Sequence, residues 1–266
     1  MRIRNYSERT IITYSGLLSK FLEYSQLELS EISSDHLKDY IYYRLKKDNI
    51  SVSTINQIIS SWRIVYVHLL NKKWEGCRIL RPRRIKKLPV VLSQQEARSL
   101  IDAPRNLKHR AILHLMYSTG IRRNELLMLK VSDIDSSRMV VNVRQGKGKK
   151  DRQVILHPKV LGILREYFKR YLPKTYLFEG YGPQKSYSAS SLAKIIKKNA
   201  KDIGITKEIS AHTLRHCFAT HMLEKGANLR VIQKLMGHAS IKTTAIYLSL
   251  ANIDNSKLPN PLDNNE

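Results

Sequence analysis

Several common ingredients are scarce in this 266-residue chain, and each scarcity closes off a class of protein. The 2 cysteines, Cys77 and Cys217, are too few for a disulfide framework and fit a reducing compartment, with both thiols read as packed bystanders. No apolar run approaches the roughly 20 residues of a membrane span, and no long basic helix carries a Trp/Phe/Leu face for lying on a bilayer. The opening MRIRNYSERT lacks the apolar core of a secretion signal, so the expected location is the cytoplasm. Glycine is sparse, and the one Gly-Lys run, GKGKK, has neither the spacing nor the following Ser or Thr of a phosphate-binding nucleotide loop. Acidic residues are the largest deficit. The 22 Asp and Glu stand against 47 Lys and Arg, and they do not gather into the carboxylate cluster that two-metal nuclease chemistry needs.

What remains is a formal charge of +25 on a chain that is 42% apolar, enough for real cores and far more positive than solubility requires. Such a balance points to a polyanionic partner, and nucleic acid is the best candidate.

Residues 1–76 read as helical. Ile11, Tyr14, Leu18 and Phe21 keep helical spacing, Ser34 or Asp35 is placed to cap a second helix, and Ser53 a third. The third sets Ile55, Ile58, Trp62, Val65 and Leu69 on one stripe, a buried seam. Composition then shifts. Residues 77–90 read as an extended basic linker, because Arg78, Arg81, Arg83, Arg84, Lys86 and Lys87 lie around Pro82 with no acid among them, and these six are expected to contact DNA.

A second domain, 91–250, opens at the capping box Ser93-Gln-Gln-Glu96. Leu107 to Ser118 reads as a helix that Gly120 ends, so that Arg122 leaves a fixed turn with Glu125 three residues on. Arg138 to Gln145 and Arg152 to Leu156 read as strands joined by a hairpin that carries Lys147, Lys149 and Lys150, and Tyr176 to Phe178 as a short third strand. Val160 to Tyr171 and Ser191 to Ile203 read as amphipathic helices. The expected class is therefore mostly α with a small antiparallel sheet, an α+β arrangement. The polar tail 251–266 follows as a separate C-terminal segment, expected to be mobile or to dock on another copy by exchange between protomers.

The chemistry gathers in residues 210–247. His212 and Arg215, three apart, share a helix face; Asn228 caps the next helix, which Gly237 ends, leaving His238 at its terminus; Tyr247 follows in a short helical run. Imidazoles move protons near neutral pH, guanidinium forks hold phosphate oxygens, and a phenol is a nucleophile once its proton is taken. The spacing of His212 and His216 also suits a metal, but Thr213 stands where the zinc-protease pattern has Glu.

Thr119-Gly120-Ile121-Arg122 with Glu125, Lys147 in a hairpin, His212-Thr213-Leu214-Arg215-His216, Gly237-His238 and Tyr247, in this order, resemble the tyrosine recombinases of the phage integrase and Xer type. The resemblance covers nearly the whole chain. It implies a helical DNA-binding core domain, a catalytic domain and a site-specific recombinase that cuts and rejoins duplex DNA through a 3′-phosphotyrosyl link, with no cofactor, metal or ATP. It further implies that Arg122 and Arg215 clamp the scissile phosphate, that Tyr247 attacks, that His212 is its base and His238 a second site histidine, and that Lys147 protonates the departing 5′-oxygen. Glu125 and His216 are supporting residues, and Lys149 and Lys150 are alternative lysines or DNA contacts. A homotetramer on paired DNA sites, with accessory proteins as further partners, follows from the same likeness. The rival reading is a DNA-binding architectural or regulatory protein that does not cut.

Overall fold

The computed structural model describes residues 6–74, 79–83, 88–144, 151–182 and 184–252. The chain divides into two compact units, Met1–Lys87 and Leu88–Glu266.

The first unit is helical. Helices α1 (Glu8–Ser25), α2 (Ser34–Asp48) and α3 (Val52–His68) begin at Ser7, Ser33 and Ser51, whose side chains accept from the backbone N–H three residues on. A serine oxygen there satisfies one of the amides that a helix start leaves without an internal partner. The caps expected at Ser34 or Asp35 and at Ser53 are therefore corrected to Ser33 and Ser51, and those residues fall inside the first turn. Phe21, Ile32, Leu37, Tyr40, Ile58 and Trp62 form the core, with the Phe21 and Trp62 rings edge to face at 5.3 Å. At roughly 1.5–3 kcal/mol for each fully buried apolar side chain, these residues hold the bundle. Of the expected α3 stripe, Ile55, Ile58 and Trp62 are buried, whereas Leu69 lies past the last helical residue and is exposed. Residues 79–83 are non-helical, as the proline predicts, and they return to α3: Asn56 Nδ2 donates to Pro82 O, and Arg81 Nη1 to Asn56 O and Ser60 Oγ.

The second unit is built around α5 (Leu107–Thr119). Its residues from Ala111 to Met116 are buried, and it packs against α4 (Gln94–Asp102), α7 (Pro158–Tyr171) and α9 (Ala211–Glu224). Ser93 and Glu96 close the expected capping box. The short helix α6 (Arg123–Met128) follows α5, then a one-turn 3-10 helix (Val131–Asp133) and an antiparallel sheet of order β1 (Ile134–Asp135), β2 (Val140–Val143), β3 (Arg152–Ile155). Its register pairs Ile134 with Val141 and Val143 with Arg152. Two expectations change here. The strand read over 138–145 is shorter, because Met139 takes a left-handed φ of 52°. Residues 176–178 form no strand; Leu177 N donates to Leu129 O, and a single bridge pairs Glu179 with Ser186. After α8 (Ala189–Asp202), α9 leads to α10 (Leu229–Met236) and α11 (Ile241–Ala245). A mostly helical chain with one small antiparallel sheet is the α+β class that the pattern predicted.

Candidate functional site

Two chain reversals aim the charged groups of the second unit at one place. Gly120 ends α5 at φ 59°, a left-handed turn in which a Cβ would lie 2.3 Å from the Phe218 ring. The turn sets Arg122 at the N-cap of α6, where Arg122 N and Nη1 both donate to the Glu125 carboxylate at 2.8 Å. Gly237 ends α10 in the same way, at φ 61°, and leaves the Met236 and Gly237 carbonyls without helical partners. The two arginines take them up. Arg215 Nη2 donates to Met236 O at 2.6 Å and Arg122 Nη2 to Gly237 O at 2.8 Å, so the guanidinium groups meet at consecutive peptides. Arg215 Nη1 donates to Gly120 O, which ties the first turn to the second.

A third guanidinium joins them. Arg152, the first residue of β3, grips both oxygens of Glu125 at 2.9 and 2.7 Å and donates through Nε to Leu235 O at 2.8 Å. Nothing in the sequence motif singled out Arg152. The signal was the strand's two-residue period, which puts Arg152 on the same face as the core residues Val154 and Leu156 and so makes an arginine point inward.

Three guanidinium groups against one carboxylate leave a formal surplus of two positive charges in a nearly closed space. The electrostatics follow. Burial would raise the Glu125 pKa, but hydrogen bonds from Arg152 and Arg122 overrule it and bring it down to about 2. Burial, and then Arg122, bring Arg215 down to about 10, so this side chain, only 4% exposed, still carries its charge at neutral pH. A cradle of this sign is built for an anion with several oxygens.

His238 stands beside it. Its Nε2 is 3.0 Å from Arg215 Nη2, and because arginine only donates, Nε2 accepts. The ring proton then sits on Nδ1, 2.9 Å from the buried Thr244 Oγ1. Burial and the nearby Arg215, Arg122 and Arg152 depress the His238 pKa to about 4, which keeps this ring neutral. Tyr247 lies two residues past α11 rather than within it, 2% exposed and packed with Phe218, Ile232 and Met236. Its Oη is 3.0 Å from Nδ1 of His216. Burial raises the phenol pKa, while Arg215 and Arg122 pull it back. His212, exposed, is one helical turn before His216, their ring centres 6.4 Å apart. Partial desolvation and then Arg215, Arg123 and Arg122 lower the His212 pKa.

The structure thus brings together Arg122, Glu125, Arg215, His216, His238 and Tyr247, with His212 at the edge and Arg152 added. Lys147, Lys149 and Lys150 lie outside the described residues, as do Arg78, Arg84, Lys86 and Lys87. Arg81 and Arg83 are described, exposed, in the first unit. Among the described residues, no three His, Cys, Asp or Glu side chains gather as a metal would require. Cys217 is buried and accepts from Leu92 N at 3.2 Å, with burial pushing its pKa up to about 11.

A helical unit followed by this α+β unit, with two clamped arginines, site histidines and a tyrosine, defines a class that acts on phosphate esters. Comparison with known proteins makes the class specific. Residues 90–252 match the phage integrase family, and residues 1–76 match the phage integrase N-terminal SAM-like domain. A putative integrase/recombinase, y4qK, of Sinorhizobium fredii is 37% identical over 94% of this chain and 82% of its own length. A tyrosine recombinase of Thermosipho africanus is 34% identical over 94% of this chain and 91% of its own. Among solved structures, the XerA recombinase matches with TM-score 0.57 and 32% identity over 96% of this chain and 91% of that one. The XerH site-specific recombinase, in a pre-cleavage complex with its difH substrate, matches with TM-score 0.73 and 25% identity over 92% of this chain and 78% of that one. The chain belongs to the phage integrase family and is a tyrosine recombinase, an enzyme that cleaves and rejoins DNA.

Proposed function

We propose that this recombinase works at the cradle of Arg122, Arg215, His238 and Tyr247, with duplex DNA as its substrate. The observation that carries the assignment is the meeting of Arg215 and Arg122 on the adjacent Met236 and Gly237 carbonyls, because two forks at that separation suit the nonbridging oxygens of one phosphodiester. Phosphoryl transfer depends mainly on positioning and on charge at those oxygens, and the surplus of positive charge supplies both. Tyr247 Oη attacks phosphorus, the bond to the 5′-oxygen breaks, and a 3′-phosphotyrosyl link keeps the energy of the broken ester. A 5′-hydroxyl then reverses the step without ATP. The 5′-alkoxide leaves poorly unless protonated, a role assigned to Lys147. The exposure of His212 supports its assignment as the base near the incoming phosphate, and His238 hydrogen-bonds Arg215 from the neutral state. Glu125 and Arg152 hold Arg122 in place.

The test is a nicked suicide duplex, from which religation is impossible. Wild type is expected to form a denaturant-resistant protein–DNA adduct and Tyr247→Phe none. An adduct in the variant would assign the nucleophile elsewhere, and no adduct in either would favour a DNA-binding architectural or regulatory protein.

Exchange between duplexes needs several such sites at once, so the active form is taken to be a homotetramer on paired sites, with the bundle of residues 1–76 and the basic stretch 77–90 holding DNA. The tail 251–266 is proposed to pass to a neighbouring copy. It combines Ile253, Leu258 and Leu262 with Asp254, Asp263 and Glu266 against the single Lys257. A cavity of about 490 Å³ in the second unit suits it, with Val160, Phe218 and Met222 inside and Arg98, Lys159 and Lys225 among its lining residues. Deleting residues 254–266 is expected to spare cleavage of the suicide duplex and to reduce strand exchange.

A further inference from the structure

We propose that His216 is the residue that positions the nucleophile, its Nδ1 accepting the hydrogen bond of the Tyr247 hydroxyl and holding Oη inside the arginine cradle. This rests on the reading of Tyr247 as the nucleophile. The family likeness makes His216 a supporting residue with no stated contact to the phenol and names His212 as the base. The geometry separates the two: Tyr247 Oη lies 3.0 Å from His216 Nδ1, while His212 is exposed and its ring centre stands 6.4 Å from that of His216.

Three further observations argue that this contact orients the phenol for use. The Tyr247 hydroxyl feels the charges of both Arg215 and Arg122, so it already sits in the field meant for the phosphate. The His238 ring, itself fixed between Arg215 and Thr244, lies nearly parallel to the phenol, at 13° and 6.4 Å between centres. Tyr247 follows the five-residue helix α11, whose single turn gives little rigidity of its own, so a second point of attachment from α9 fixes the ring. His216 is suited to accept and unsuited to carry away a proton. Burial, then His212 and Arg215, lower its pKa to about 4, so near neutral pH it is an uncharged acceptor and a poor base for a phenol whose own pKa is raised. Proton removal is left to the cradle's field and to His212.

The experiment measures single-turnover cleavage of the suicide duplex, together with DNA affinity and thermal unfolding, for His216→Phe, His216→Leu and His216→Asn in the full chain. Asparagine places an oxygen where Nδ1 stands and cannot titrate near neutral pH. The phenylalanine and leucine variants are expected to cleave about 10²-fold more slowly, the scale on which a misplaced reacting group lowers rate, with DNA affinity unchanged. The asparagine variant is expected to recover most of that loss. A substrate with sulfur at the bridging 5′ position, which departs without protonation, should restore a Lys147 variant and leave His216→Phe slow. Cleavage by His216→Phe or His216→Leu at or above the wild-type rate would overturn the proposal, since the contact would then restrain the phenol. An asparagine variant as slow as the leucine one would overturn it too, as would rescue of His216→Phe by the sulfur substrate. If Tyr247→Phe itself forms the adduct, it is the nucleophile assignment that fails, and the His216 result is not needed to see it.

Discussion

Positive charge is handled in opposite ways by the two units of this molecule. In the first unit three cations lie on aromatic rings: Lys46 over Tyr42 at 4.7 Å, Lys47 over Tyr43 at 5.2 Å, Arg63 over Trp74 at 5.6 Å. The rings steady them, with Lys47 also donating to the Tyr43 hydroxyl at 2.7 Å, and each contributes a separate, screened attraction to a polyanion. In the second unit Arg122, Arg152 and Arg215 are withdrawn from water, and their donors are committed to named carbonyls and to one carboxylate. Collecting cations where they repel one another is costly, and only fixed geometry for a specific anion offsets that cost. On the proposed reading, one arrangement attracts DNA and the other acts on a single ester within it. The difference should appear as large, rate-specific effects in the cradle and small, additive effects at the surface.

The largest effect is expected at Arg215. Replacing it by lysine keeps a charge but cannot serve Gly120 O, Met236 O and a phosphate together. Arg215→Lys should lower single-turnover cleavage by about 10³-fold, the scale of losing a transition-state arginine, while DNA affinity stays within about threefold. An affinity loss that matched the rate loss would place Arg215 with the surface cations. Glu125 comes next. Its pKa falls from the ordinary 4.5 to about 2 in the folded chain, so its ionised form stabilises the fold by roughly 3 kcal/mol. That stability is fully present above pH 4.5 and drains away as pH falls through about 2. Glu125→Gln should therefore be less stable than wild type by about 3 kcal/mol in urea at pH 7, with a clearly smaller gap at pH 3. A gap independent of pH would mean that the carboxylate is not what binds Arg122 and Arg152.

Much of this was legible in the residues, and the illegible part has a physical pattern. Gly120, Gly237 and Asn228 announced their turns because left-handed backbone and helix starts demand particular side chains. The spacing of His212 and Arg215 announced a shared face. Helix starts erred by a residue or two because neighbouring serines compete for the cap, and geometry beyond the local sequence chooses Ser33 and Ser51. Tyr176 to Phe178 looked like a strand because they are rich in large side chains, but the burial of Leu177 and Phe178 does not supply a pairing partner. Partnership across the chain was the least visible. Arg152 meets Glu125 from 27 residues away and His216 meets Tyr247 from 31. No local rule ranks His216, one residue past the motif arginine, above the exposed His212 as the neighbour of the phenol.

The smallest effect belongs to the basic stretch, and it is the sharpest test of the contrast. If the surface cations act as independent attractors, each phosphate that the protein ceases to neutralise should lower the slope of log affinity against log salt by about 0.9, across DNA sequences alike. Arg83 is exposed, while Arg81 already gives Nη1 to Asn56 O and Ser60 Oγ and so helps hold 79–83 on α3. Arg83→Gln should therefore reduce the slope by the share of about one phosphate and leave the cleavage rate at saturating enzyme unchanged. Arg81→Gln should reduce the slope by less than Arg83→Gln and also lower the melting temperature of the first unit. Equal slope changes with no loss of stability would show that Arg81 faces DNA as Arg83 does. A change in the saturated cleavage rate from either variant would break the contrast itself, because a residue meant only to attract DNA would then be shaping the reaction.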